Sequence, residues 1–237
     1  MLLRSVSQLN FRNLVTPRLE FSTGITAVVG QNASGKSNLL DALYLGCTGE
    51  LPSGKIVESV RIGEAEGFVG VKLEREDGVS TIEVGLAPGR KVVRLDGQTV
   101  RAIEVARVAA AVLVTPEDTD LVHGAPGGRR AYLDTLLSRL SLRYALLLRE
   151  YTRVVEQRNS VLRQGRHDPT LEVWTAKFAE LGDAIIKLRA RALTRIRDID
   201  ETTYAEVAGD GKRLAVSLAS ETEAGTLTEK LDASRFE

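Results

Sequence analysis

Residues 30–37 of the chain read Gly30-Gln31-Asn32-Ala33-Ser34-Gly35-Lys36-Ser37. They fit the pattern G-x-x-x-x-G-K-[ST] of a phosphate-binding loop, the P-loop. Residues 25–29 before it are a short, β-branched apolar run, which predicts a buried strand. Residues 38–45 after it lack Gly and Pro and carry apolar residues at helical spacing. A strand, a glycine-rich loop and a helix, in that order, are the context that supports phosphate binding.

The residue types in the P-loop suit an anion for physical reasons. Gly30 and Gly35 allow backbone conformations that a Cβ disfavours, so successive N–H groups can point at phosphate oxygens. The helix that follows offers unpaired N–H groups and the positive end of its dipole. We therefore predict that the loop binds a nucleotide, with Lys36 at the β- and γ-phosphates and the Ser37 hydroxyl on Mg²⁺.

Composition limits the class of protein. The 237 residues allow one large domain or two smaller ones, and 43% apolar with 27% charged residues is ordinary for a globular protein. The sequence contains no run of 18 apolar residues, and its first residues lack the features of a signal peptide. Cys47 is the one cysteine, which excludes a disulfide framework. We expect no membrane association and a cytoplasmic location.

Charge is distributed unevenly along the chain. Residues 129–197 hold 15 Arg and Lys against 7 Asp and Glu, although the whole chain has zero formal net charge. Such a local excess indicates either a nucleic-acid surface or solvated helix faces, and charge alone leaves both open. Arg129 and Arg130, at the predicted start of a helix, are candidates for contact with DNA phosphate or a partner; a solvated first turn is the alternative.

The order of predicted elements separates a β-rich part from a helical part. Strands are predicted at 2–9, 18–22, 25–29, 67–74, 80–86, 92–95 and 109–114, with a helix at 36–47. Turn signals at hairpin spacing join the strands from 67 to 95, which predicts an antiparallel meander. From 128 to 209 the pattern is helical with a break at 165–169, which predicts an antiparallel helical arm. A strand-like pattern returns at 214–218.

This layout favours one class of P-loop protein. GTPases ordinarily carry an Asn-Lys-x-Asp motif, which is missing, and small-molecule kinases usually continue as alternating strands and helices. A P-loop near residue 30, a β-rich lobe and an inserted helical arm are typical of ABC-type ATPase heads of the SMC kind. We predict an α/β fold with a mixed sheet around the P-loop helix and three parts: 1–127, an N-terminal lobe; 128–209, the arm; and 210–237, the start of a C-terminal lobe.

Two stretches outside the P-loop carry a resemblance to a known family. One is Leu9-Asn10-Phe11-Arg12-Asn13-Leu14, and the other is Pro116-Glu117-Asp118 followed by Arg129-Arg130-Ala131-Tyr132-Leu133-Asp134. Together with the P-loop they resemble RecF, the bacterial SMC-like recombination mediators, from the N-terminus to about residue 190. The second stretch is the discriminating part, because the P-loop occurs in many families.

The resemblance implies a function and partners. RecF-type proteins use ATP and Mg²⁺ to bridge two heads into a homodimer on duplex DNA near a gap or a single/double-strand junction. With RecR and RecO they help load RecA recombinase on single-stranded DNA, and they support replication restart and the SOS response. By the same resemblance Arg12 contacts the nucleotide; a surface arginine is the alternative. Glu117 and Asp118 lie near the expected Mg²⁺- and phosphate-sensing loop, although Asp118 could instead cap a short helix.

The sequence also departs from a complete head. It contains neither a Ser-x-Gly-Gln signature nor a Walker B strand ending in acidic residues, and residues 50–58 lack the basic segment usual in RecF. The complete protein is expected to be a weak, DNA-stimulated ATPase. The 237 residues are expected to bind nucleotide but to hydrolyse it poorly or not at all, and catalytic residues stay unassigned.

Three other hypotheses remain open from the residues alone. The chain could be the head of a different SMC-like ATPase, with other partner subunits. It could be an architectural coiled-coil module whose P-loop is vestigial. It could also be a small-molecule P-loop kinase.

Overall fold

The computed structural model describes residues 1–52, 54–164, 170–209 and 216–218. The chain divides into two compact units, Met1–Asp118 and Thr119–Glu237. The first unit contains the sheet and the P-loop, and the second contains the long helices. The predicted boundaries at 127/128 and 209/210 stay predictions. Of the predicted part 210–237, only residues 216–218 are described, and they belong to no helix or strand.

One antiparallel sheet organises the first unit. Its described strands are β1 (Leu2–Leu9), β2 (Arg18–Glu20), β3 (Gly67–Arg75), β4 (Gly78–Ala87), β5 (Arg90–Leu95) and β6 (Gln98–Val100). Their order is β2-β1-β3-β4-β5-β6, and every neighbouring pair is antiparallel. The α/β class and the meander are confirmed, although the sheet is antiparallel throughout the described residues rather than mixed.

The P-loop helix, α1 (Lys36–Thr48), packs against β1, β3 and β4 and matches the helix predicted at 36–47. Alternate residues of β3, among them Val69, Val71 and Leu73, are buried beneath it. Helix and sheet approach closely at Gly46, where a Cβ would lie only 2.4 Å from Cγ1 of Val71. Two short helices, α2 (Ile56–Ser59) and α3 (Ala102–Val105), complete the unit and were not predicted.

Two predicted strands are wrong. Residues 25–29 and 109–114 adopt no regular structure. Ile25 and Val29 are 101% and 88% exposed, and Val112 and Val114 are 90% and 77% exposed. Apolar, β-branched composition predicts burial, but a strand also needs a neighbour to accept its hydrogen bonds. Among the described residues no strand pairs with either run; residues 25–29 are exposed, and of 109–114 only Ala109 is buried in the core.

The second unit consists of helices. After a 3-10 turn (Pro116–Thr119) come α4 (Asp120–His123), α5 (Pro126–Leu140), α6 (Leu142–Gln164) and α7 (Thr170–Ala208). Tyr151 stacks on Phe178 at 5.4 Å between ring centroids, and Nε of Arg158 donates to Oγ1 of Thr175 at 3.1 Å. These pairings confirm that α6 and α7 run antiparallel. The predicted turn at 165–169 lies outside the described residues.

Three helices of this unit meet at a partly buried polar contact. Arg189 of α7 donates from Nε and Nη2 to the two carboxylate oxygens of Asp134 in α5, at 2.9 and 2.7 Å. The Tyr144 hydroxyl of α6 donates to the same carboxylate at 2.5 Å. Burial first, and then the hydrogen bond to Asp134, raise the pKa of Tyr144 to about 12, so its proton stays in place. The bidentate pair fixes the rotation of α7 about its own axis.

Candidate nucleotide-binding site

The P-loop has the backbone geometry that its glycines predict. Gly35 is the N-cap of α1 and has φ of 97°, in the left-handed region. A Cβ at Gly35 would lie 2.9 Å from Oδ1 of Asn13, so glycine is required here by both conformation and space. Ala33 also has a positive φ, of 63°. The loop is therefore held in a bent conformation whose N–H groups can converge on an anion.

No side chain of the described residues neutralises the N-terminus of α1. The first hydrogen bond that enters the helix runs from the N–H of Leu39 to the carbonyl of Gly35, at 2.9 Å. No side chain caps the helix, and its first turn contains no acidic residue. The N–H groups of Lys36, Ser37 and Asn38 thus have no acceptor within the helix, and the positive end of the helix dipole is not neutralised.

Lys36 lies back across the loop. Its Nζ donates to the carbonyl oxygens of Gly30, at 2.9 Å, and Gln31, at 2.7 Å. The ammonium group is therefore held between the loop and the helix N-terminus, where phosphates would bind. Ser37 is exposed in the first turn of the helix. The structure thus brings together the residues predicted at 30–37, and their donors fit a nucleotide triphosphate with a divalent cation on Ser37.

Arg12 lies behind the loop and is engaged with α1. Its Nη1 donates to Oδ1 of Asn38 at 2.9 Å and also pairs with the carboxylate of Asp41. Its side chain is only 21% exposed. The backbone at Arg12 has φ of 46°, which a non-glycine residue rarely adopts. In this structure Arg12 braces the helix that begins the site, and its predicted contact with nucleotide stays a prediction.

Asn13 is a site residue that the sequence analysis did not assign. Its Nδ2 donates to the carbonyl of Ala33 at 3.1 Å, and its Oδ1 accepts from Nδ2 of Asn38 at 2.7 Å. Asn13 thereby joins the tip of the P-loop to the first turn of α1. The sequence contained no signal for this contact, because twenty positions separate Asn13 from Ala33.

We expect Asn13→Ala to weaken nucleotide binding roughly 5- to 10-fold, in line with about 1 kcal/mol for each net hydrogen bond that orders the loop. Titration of a fluorescent ATP analogue measures the Kd. Asn159→Ala, the same change at an exposed position on α6, serves as the control. A drop in Tm with an unchanged Kd in the folded protein would mean that Asn13 only supports the fold.

Arg129 and Arg130 have different environments. Nη1 of Arg129 donates to the carbonyl oxygens of Gly124, at 2.8 Å, and Leu121, at 3.3 Å, so this guanidinium holds the end of α4. Arg130 is exposed, and no ion pair or hydrogen bond of its side chain lies within the described part of the chain. Both lie inside the first turns of α5, which begins at Pro126 rather than after residue 128.

Asp118 acts as a cap. Its Oδ2 accepts from the N–H of Thr115 at 2.6 Å and from Oγ1 of the same residue at 3.2 Å. This contact closes the 3-10 turn, as the capping interpretation predicts. Cys47 lies in the core at 7% exposure, and burial raises the pKa of its thiol to about 11. The thiol is therefore a packing group rather than a nucleophile.

Curated sequences similar to the chain share one description. A protein of Deinococcus radiodurans described as DNA replication and repair protein RecF is 41% identical over 99% of the chain. A protein of Deinococcus deserti with the same description is 42% identical over 100% of the chain. The chain belongs to the RecF family. It spans 65% of the length of each of these two RecF proteins.

Other comparisons agree with the RecF assignment. A sequence-family profile described as an AAA domain matches residues 5–115, which include the P-loop. A solved structure described as the recombination mediator protein RecF-ATP in the RecFOR pathway superposes with a TM-score of 0.85 at 28% identity. The superposition covers 99% of this chain and 66% of the chain of the solved structure. No helix within the described residues combines the length and apolar character needed to cross a bilayer.

Proposed function

We propose that the protein binds ATP through its P-loop and acts as an ATP-dependent DNA-binding protein of recombinational repair. The main support is the uncapped N-terminus of α1 with Lys36 held over the loop. That arrangement presents several donors and one ammonium group to an anion of the size of a triphosphate chain. The description of a solved RecF as bound to ATP supports the choice of nucleotide.

In the proposed binding of ATP, each part of the site has a distinct role. The N–H groups of the P-loop and of the first turn of α1 bind the phosphates, and Lys36 neutralises charge on the β- and γ-phosphates. The Ser37 hydroxyl would hold Mg²⁺, which would supply positive charge beside the phosphates. Arg12 and Asn13 hold the first turn of α1 in place through Asn38, and Asn13 also holds the loop through Ala33. These residues bind and orient ATP, and none of them is assigned a role in hydrolysis.

Binding of ATP would then control association and DNA binding. Two copies would close around ATP as a homodimer, and the dimer would bind duplex DNA beside a gap or a single/double-strand junction. With RecR and RecO it would help load RecA on single-stranded DNA, in support of replication restart and the SOS response. The names of the relatives support repair and replication, and the RecFOR pathway in the description of the solved structure supports the partners.

The test is whether nucleotide controls both properties. With Mg²⁺ and a non-hydrolysable ATP analogue, we expect sedimentation velocity to show a shift from monomer to dimer. Fluorescence anisotropy should show duplex DNA binding about 10-fold tighter than with ADP, a size typical of coupled binding sites. Dimerisation and DNA binding that do not depend on nucleotide would contradict the proposal. DNA-independent phosphate transfer to a small molecule would instead indicate a kinase.

A further inference from the structure

The middle of α7 has an unusual charge pattern, between Asp183 and Asp198. Residues 184–197 contain five basic residues and no acidic residue. The part of α7 before this segment differs, because its Lys177 pairs with Glu180 at 3.2 Å and with Glu150 at 3.7 Å. The basic segment is thus distinct from the mixed-charge surface that an ordinary solvated helix presents.

The five basic side chains have two different environments. Arg189 is largely buried and pairs with Asp134, as described above. Lys187, Arg191, Arg195 and Arg197 are exposed, and the first three follow one another at intervals of four residues. Residues four apart lie one above another on a helix, so these three side chains form a single row. We call this row the basic face.

The basic face points away from the helical core. Leu181, Ile185 and Leu193 of α7 are buried on the opposite side, at 4%, 2% and 8% exposure. The pairing of Arg189 with Asp134 fixes the rotation of α7, so the row is held in one orientation. In the described part of the chain, none of its three side chains forms an ion pair. Like charges four residues apart repel each other, so the spacing of the row does not itself favour the helix.

We propose that the basic face binds the sugar–phosphate backbone of duplex DNA without reading its sequence. The row is about 12 Å long, from eight residues at a rise of about 1.5 Å, and over that length of its axis a duplex carries three to four phosphates on each strand, at about 3.4 Å of axis per phosphate. Ala184, Ala190 and Thr194 lie between or beside the charges and are small, which lets a backbone approach closely. The row contains no aromatic residue on which an unpaired base would stack.

This inference rests on the proposed function and adds the place of DNA contact. It differs from the sequence prediction, which named Arg129 and Arg130 as candidates for contact with DNA phosphate or a partner. Arg129 donates to the carbonyls of Gly124 and Leu121, whereas the side chains of the basic face form no ion pair with any other described residue. An acidic protein partner would also be attracted to three cations, and the experiment distinguishes it from DNA.

The experiment compares two triple variants of the 237-residue protein. In the first, K187Q, R191Q and R195Q remove the basic face. In the control, R90Q, R94Q and R107Q remove the same charge from exposed positions of the first unit. Binding of a fluorescein-labelled 30-base-pair duplex is measured by anisotropy at several salt concentrations. We expect the first variant to lose about 10- to 100-fold in affinity and its salt slope to fall by 2 to 3, since each phosphate contact contributes about one.

Two further measurements make the result decisive. A variant carrying K187R, R191K and R195K keeps the three charges and should keep the wild-type salt slope. Circular dichroism and the Kd for a fluorescent ATP analogue should be unchanged in all variants. Polyglutamate serves as a probe for an acidic protein partner. Equal DNA binding by wild type and the first variant would overturn the inference. If the first variant also bound polyglutamate more weakly, the basic face would instead bind an acidic protein. Wild-type protein that binds no duplex under any nucleotide condition would instead overturn the proposed function itself.

Discussion

Replacing Lys36 with Ala is expected to weaken ATP binding by roughly 100-fold. The ammonium group is the one cation held between the loop and the helix N-terminus in the described part of the site, through its contacts with Gly30 and Gln31. Losing charged contacts to phosphate costs about 3 kcal/mol, which corresponds to two powers of ten in Kd. The loop would also lose the two bonds that hold its carbonyls. Titration of a fluorescent ATP analogue measures the change.

The effect should extend to association. Lys36→Met, which keeps the length of the side chain without its charge, should abolish nucleotide-dependent dimerisation. Lys72→Ala removes one exposed lysine from β3, outside the site, and should leave both Kd and dimerisation unchanged. If Lys36→Met dimerised with ATP as the wild type does, the proposed role of the P-loop would be refuted.

Replacing Gly46 with Leu is expected to lower the free energy of unfolding of the first unit by about 3 kcal/mol. A side chain here has no space, because even a Cβ would lie 2.4 Å from Val71, which is 1% exposed and cannot swing aside. Overpacking a tight interface forces the helix away from the sheet, and this cost outweighs the helix propensity gained by removing glycine. Urea unfolding measures the difference.

A second glycine provides the matched control. Gly128 lies in the first turn of α5, and a Cβ there would meet nothing within 4 Å. Gly128→Ala should therefore be neutral or stabilising by up to about 1 kcal/mol. Gly46→Ala should be destabilising despite the same gain in propensity. Stabilisation by both alanines would show that α1 does not approach β3 as closely as described.

The parts of the fold that could be predicted from the sequence are those that local patterns determine. The P-loop pattern and the apolar spacing after it identified α1 to within one residue. The meander was predictable because Gly-containing turns separate β3, β4 and β5. Steps of three and four along 171–199 indicated a helix packed along one side, and the stacking of Phe178 on Tyr151 agrees with that interpretation.

The features that could not be predicted depend on contacts between residues that are far apart in the sequence. Residues 25–29 and 109–114 have strand composition, yet composition does not reveal whether a neighbouring strand exists. The role of Asn13 depends on a contact with Ala33, across twenty positions. The basic face could not be separated from the other arginines by sequence alone. Its definition required knowing that Arg189 is paired and largely buried while Arg191 is exposed.

The two exposed apolar runs affect how the protein behaves at high concentration. Residues 25–29 read Ile-Thr-Ala-Val-Val and residues 110–114 read Ala-Ala-Val-Leu-Val, with no charge or proline in either. Neither run pairs with a strand of the described residues, and exposed windows of this composition can add to the same windows of other molecules and start aggregates. We expect such self-association to need no nucleotide and to grow with protein concentration. A charged substitution at Val29 or Val112 would act as a gatekeeper and raise the solubility of the protein.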